Sequence, residues 1–174
     1  MKKLDKKSLR VGFLLAIITF TGITNYASAE TLDSVSHIHH VKVVENKVLV
    51  LTHEGLYELV SKNEMKLVGK DKIDVMGFTT LGKTWVASGH PSQGSKIPNP
   101  IGVMKSLDGG SNWKAVSLVG KVDFHFLEGA GSDLYGADSQ SGNLLHSADS
   151  GMTWNSLGTN AFTDIAVSPE MSGM

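Results

Sequence analysis

Past residue 29 the chain has no stretch with apolar residues at helical spacing. It reads as short runs in which apolar and polar positions alternate, separated by Gly, Asn, Asp and Ser. Period-two alternation is the pattern of strands buried on one face, and the punctuation marks the turns between them. The runs recur in a fixed order. First-strand segments are HIHHVKVV from His37, VMGFTTL from Val75, DFHFLEG from Asp123 and FTDIAVSP from Phe162. Second strands read KVLVLTH, KTWVASG and SDLYGAD; third strands GLYELV, IGVMKS and GNLLHS; fourth strands MKLV, WKAVSL and WNSLG. First strands lie 38 to 48 residues apart, the length of a four-stranded propeller blade. The expected fold is all-β: a partial β-propeller with blades at residues 36–70, 73–120 and 121–160, and the first strand of a fourth in residues 161–174.

Two of the connections between third and fourth strands share a motif. SLDGGSNW, from Ser106, returns 41 residues later as SADSGMTW, from Ser147. Ser106, Asp108, Gly110 and Trp113 in one turn match Ser147, Asp149, Gly151 and Trp154 in the other. An aspartate in such a turn accepts backbone N–H groups, the glycine supplies a positive φ, and the tryptophan opens the next strand where it can pack between blades. Nothing in the motif places a nucleophile or an acid–base pair, so its expected role is architectural. The first blade lacks it: SKNEMKLV carries Met65 where the tryptophan would stand.

The chain begins differently. Lys2, Lys3, Lys6, Lys7 and Arg10 precede a 13-residue apolar run (residues 11–23) and the small-residue stretch ASA before Glu30. That order is the pattern of a cleaved secretory signal, residues 1–29. A membrane anchor is the other reading, but the run falls short of the ~18–20 residues a spanning helix needs. The chain holds no cysteine, which excludes a lipidated cysteine and any disulfide. Of 16 basic and 17 acidic residues, the five basic ones named and Asp5 belong to the signal, leaving 11 against 16 and no arginine. An exported acidic chain without arginine does not suit nucleic acid or an anionic membrane surface.

The turn motifs resemble the Asp-box, or bacterial neuraminidase (BNR) repeat, of sialidases, the sortilin ectodomain, some xyloglucan-cleaving enzymes and a photosystem II assembly factor. Together with HIHHV, THEGLY, MGFT, ASGHP, IPNPIGVMKSLDGGSNW, VDFHFL and FTDIAVSP they are similar to secreted bacterial Asp-box propellers described as glycosylhydrolase-like. The resemblance covers residues 30–174, implies the propeller fold, and says little about activity. Members of that group run on through further blades, and a closed propeller has four to eight. The expectation is therefore a truncated chain, or open blade edges closed by self-association.

Seven histidines are scattered in sequence, but the blade alignment gathers most of them. His37 and His39 begin the first inner strand, and Asp123 and His125 the third. His53 and Asp138 end second strands, and His90 lies just beyond the end of another. These seven residues are expected at one mouth of the channel, opposite the Asp-box turns. His146 falls in a third strand and His40 is expected to alternate outward. Imidazole with carboxylate is a ligand set for zinc, copper or non-haem iron, with His37, His39, His53, His90 and His125 as candidate ligands of a divalent metal. The same groups could hydrogen-bond an organic ligand, or water alone. The loop HPSQGSKIPNPIG, stiffened by Pro91, Pro98 and Pro100, is placed over that mouth.

Sialidases bind the substrate carboxylate through arginines, which residues 30–174 lack. Other glycosidases need two carboxylates across a cleft; Asp74, Asp123 and Asp138 are near the expected face, with no pair standing out. The reading is a binding or assembly scaffold for a protein or carbohydrate ligand, with a glycoside hydrolase as the alternative. Intact mass of the secreted protein should place the new N-terminus at Glu30, and a retained Met1 would contradict cleavage.

Overall fold

The computed structural model describes residues 30–168. The expected signal segment, residues 1–29, lies outside the described residues, as do residues 169–174. The first sheet contains β1 (Glu30–Thr31), β2 (Ile38–Val44), β3 (Lys47–Thr52), β4 (Gly55–Leu59) and β5 (Glu64–Leu67). The second contains β6 (Asp74–Leu81), β7 (Thr84–His90), β8 (Val103–Ser106) and β9 (Lys114–Ser117). The third contains β10 (Phe124–Ala130), β11 (Asp133–Asp138), β12 (Asn143–Ser147) and β13 (Asn155–Thr159). Each is an antiparallel meander in chain order, β2 to β5, β6 to β9 and β10 to β13, and β1 adds a fifth strand beside β5. Among the described residues no helix is long and apolar enough to cross a membrane.

The meanders follow from local chemistry. Val44 pairs with Lys47 across a two-residue loop in which Glu45 and Asn46 both take positive φ (49° and 65°), the primed turn that matches strand twist. Beyond the turns, apolar residues fill the gaps between sheets. Leu49, Leu51 and Leu56 of the first sheet meet Val75, Phe78, Trp85 and Met104 of the second in one buried cluster. Val86 and Val103 of the second sheet meet Phe124, Leu127 and Leu134 of the third in another. Inner strands β6 and β10 approach closely at Gly77, where a Cβ would lie 2.5 Å from the Phe124 carbonyl oxygen; any side chain there would push the two sheets apart.

The two Ser-Asp-Gly-Trp turns explain why the motif occurs twice. In each, the serine hydroxyl donates to the aspartate (2.8 Å in both) and accepts the glycine N–H (2.9 Å at Gly110, 2.7 Å at Gly151). The aspartates then accept the N–H groups of Asn112 (2.9 Å) and Thr153 (2.8 Å). Hydrogen bonds from the Asn112 side chain and backbone and from Ser106 hold the exposed Asp108 carboxyl at a pKa of about 2. Asp149 is likewise held well below the usual carboxylate range, first by the Thr153 hydroxyl. So braced, each turn docks on the preceding sheet. Gly110, at φ 82°, lies where a Cβ would come within 2.7 Å of Val68 Cγ1. Ser117 of β9 donates to the Gly151 carbonyl (2.6 Å) and accepts from Trp154 Nε1 (3.1 Å). Trp113 and Trp154 sit just before their strands and pack on the first and second inter-sheet clusters respectively.

Two features differ from the sequence expectation. The two-residue β1, too short to carry a periodic signal, extends the first sheet. Residues 162–168, expected as a fourth inner strand, belong to no sheet. An inner strand is hydrogen-bonded to the second strand that follows it, as β10 is to β11, and among the described residues none follows Phe162.

Trp154→Ala should lower the unfolding free energy by about 3 kcal/mol, at the lower end of buried Trp truncations because the ring is only half-buried. Denaturant unfolding measures this; an unchanged midpoint would contradict the docking role.

Candidate functional site

The register of the inner strands builds the site. Each inner strand carries a β-bulge near its start, between Ile38 and His40, between Val75 and Gly77, and between Phe124 and Phe126. The extra residue of a bulge leaves the ladder and is re-aimed. Here those residues are His39, Met76 and His125, and all three line one open groove of about 330 Å³ together with His37, His40, His53 and Phe126. The groove is at the end of the strands where His37 faces His53 and Asp74 faces His90. The Ser-Asp-Gly-Trp turns are at the other end, since Ser106 pairs with Trp85 near the start of β7.

Two clusters form there, each bridging a pair of sheets. In the first, Asp74 Oδ1 accepts from His39 Nε2 at 2.9 Å and Asp74 Oδ2 from His53 Nδ1 at 2.8 Å. The two nitrogens are 3.3 Å apart, and the His37 ring lies 4.9 and 5.2 Å from the rings of His39 and His53. In the second, Asp123 Oδ2 lies 3.1 Å from His125 Nε2 and 3.4 Å from His90 Nε2, and accepts from the Ser139 hydroxyl at 2.9 Å. Burial pushes both aspartates up, but the hydrogen bonds and charge of the imidazoles outweigh it and hold both below the usual carboxylate range. The hydrogen bond to Asp123 pushes His125 up, against a smaller opposing effect of burial. Either cluster presents three ligand atoms within 4.8 Å of one another, the minimum a metal ion needs.

The structure thus brings His37, His39 and His53 together, and separately His90, Asp123 and His125. Asp138 is beside them in a different role. It pairs with Phe124, one position short of the residue that matches His53 and His90, and that matching residue is Ser139. Its carboxylate accepts the backbone N–H of Asp123 (2.8 Å) and of Ser141 (3.1 Å) and the Ser141 hydroxyl, so it fixes Asp123 and does not face the groove. His40 is not turned away, as strict alternation requires. The bulge at His39 breaks the alternation, and His40 Nε2 reaches the His125 carbonyl oxygen at 3.2 Å. His146 pairs with Asp133 at 2.7 Å and stacks on Tyr135, away from the groove. Asp74, named in the sequence only as a carboxylate near the expected face, is the acceptor at the centre of the first cluster, and its register position offered the signal: it faces His90 as His37 faces His53 and Asp123 faces Ser139. In the proline-bearing loop, Asn99 Oδ1 accepts from His90 Nδ1 at 2.7 Å.

No family model and no curated protein matches the chain. Among solved structures it is similar to an ancestral GH74 enzyme, a β-propeller glycosylhydrolase, at 13% identity and a TM-score of 0.50. The likeness covers 70% of this chain and 18% of that one, so the chain spans about a fifth of that enzyme. What the two share is the fold, a β-propeller built of antiparallel sheets.

An imidazole NMR titration should give His125 a midpoint above its ordinary value of 6.5, because Asp123 favours the charged ring. The sign for stability follows: the contribution is complete below 6.5 and is lost as pH rises through the raised midpoint. Asp123→Asn should return the midpoint to 6.5 or below, and a midpoint unmoved by that substitution would contradict the pairing.

Proposed function

We propose that the chain is an exported Asp-box propeller module whose histidine-lined face binds a carbohydrate or protein ligand and holds it without cleaving it. The observation that carries this reading is the use made of the carboxylates. Asp74 and Asp123 each face two imidazoles, and Asp138 accepts two backbone N–H groups. Glycoside hydrolysis requires a carboxylic acid that keeps its proton, ~5–9.5 Å across the cleft from a carboxylate. Carboxylates committed as acceptors have no proton to give. Phe126 and the histidine rings offer flat surfaces, and Met76 an adaptable one. The hydrogen-bond pattern of the two turns supports their resemblance to the Asp-box, and the order of residues 1–29 supports export.

The second reading, a glycoside hydrolase, is favoured by the fold shared with the GH74 enzyme. Affinity electrophoresis through xyloglucan and soluble β-glucans, with a reducing-end assay on the same mixtures, separates the two. Binding predicts retarded migration that is lost in Phe126→Ala and His53→Ala, with no reducing ends formed. Reducing ends that appear with the wild-type chain and vanish with Asp123→Asn would establish hydrolysis instead. Absence of both effects would remove carbohydrate and leave a protein ligand.

A further inference from the structure

The two histidine clusters are built differently, and the difference assigns them different work. In the first, both imidazoles sit 2.8–2.9 Å from separate oxygens of Asp74, the range of charge-assisted hydrogen bonds. In the second, His125 and His90 lie 3.1 and 3.4 Å from a single oxygen of Asp123, long for such bonds. Zinc with bonds of ~2.0–2.2 Å to nitrogen and oxygen in tetrahedral array sets its ligand atoms ~3.3–3.5 Å apart. The two distances to Asp123 Oδ2, 3.1 and 3.4 Å, are close to that spacing before any ion enters, and all three ligand atoms lie within 4.8 Å of one another.

Two further observations point the same way. His90 Nδ1 donates to Asn99 Oδ1, and an amide oxygen only accepts. That hydrogen bond fixes the tautomer in which a neutral His90 turns the Nε2 lone pair toward Asp123 Oδ2. Two acceptors then face each other across 3.4 Å, an arrangement relieved by a proton or by a metal ion between them. A second-shell acceptor on the far nitrogen is also how proteins orient metal-binding histidines. The other observation is Asp123 itself, 4% exposed, whose Oδ1 is buried without a hydrogen-bond partner among the described residues. Oδ2 takes every donor that reaches the carboxylate and leaves Oδ1 free to swing onto an ion.

From this geometry we propose that His90, Asp123 and His125 form a binding site for a divalent transition-metal ion, zinc being the probe, with Asn99 as the positioning residue. The site offers three protein ligands. The side chains of His90 and His125 are 30% and 36% exposed, so the remaining coordination position opens to solvent and, through His125, to the groove. A site with three protein ligands and one open position receives a further ligand. The proposal rests on the reading of this face as the ligand face, and it names what anchors the ligand there: an oxygen or nitrogen donor on the metal. The ring of His90 is held by the loop that carries Pro98 and Pro100, which gives that insertion a purpose.

The test is calorimetric titration of the purified protein with Zn²⁺ at pH 7.5, for wild type and for His90→Ala, His125→Ala, Asn99→Ala and His39→Ala, each checked for an unchanged melt. Binding is expected in the wild type. It should fall at least 10-fold in His90→Ala and His125→Ala and about 10-fold in Asn99→Ala, the usual cost of removing a second-shell partner. His39→Ala should leave that affinity unchanged. Absence of zinc binding, or an affinity that survives His90→Ala and His125→Ala but falls with His39→Ala, would overturn the proposal. Polysaccharide retardation in the presence of a chelator keeps the two readings separate. Retardation without zinc binding overturns the metal site alone. Zinc binding without retardation in any polysaccharide supports the metal site and removes only the carbohydrate version of the binding module.

Discussion

A sheet with large apolar residues on both faces buries them only by lying against another sheet, and that constraint organises the molecule. The second sheet shows it most fully. One of its faces gives Val75, Phe78 and Trp85 to the first inter-sheet cluster and the other gives Val86 and Val103 to the second. Alternation along β7 puts Trp85 and Val86 on opposite faces, and the bulge at Met76 brings Val75 onto the face of Phe78. Gly77 lets the inner strands meet backbone to backbone at the Phe124 carbonyl. The Ser-Asp-Gly-Trp turns then lock the outer edge of each unit to the one before, through Val68 beneath Gly110 and Ser117 beneath Trp154.

Stacking in turn creates the other end. Once neighbouring sheets are fixed at their turns, the strand starts converge at the opposite mouth, and each aspartate that opens an inner strand meets a histidine ending the second strand of the sheet before it. His53 with Asp74 and His90 with Asp123 are the same cross-sheet contact repeated. One end of the molecule is braced by serine and aspartate turned inward on their own backbone. The other leaves imidazoles on an open groove.

Much of this was legible in the residues. Among the described residues there are thirteen strands, and the twelve belonging to the three meanders follow from alternation and from turns such as Glu45-Asn46, which depend on near neighbours only. What was not legible depended on partners. FTDIAVSP alternates like a strand, but alternation describes a face and not a hydrogen-bonded neighbour. His40 was misplaced because counting by two fails at a bulge, and three inner strands carry one at matching positions. The histidines themselves were visible at strand ends, whereas the split into two clusters around Asp74 and Asp123 needed the stacking of the sheets.

The central claim is that ligands arrive at the histidine end while the tryptophan end only supports. Long-range ¹⁵N–¹H NMR of the imidazoles, recorded with the indole N–H signals of Trp113 and Trp154, reads both ends in one sample. The account predicts His90 protonated on Nδ1, with one equivalent of Zn²⁺ shifting His90 and His125 and leaving both indoles in place. Imidazole signals that stay still while the indoles move would contradict it.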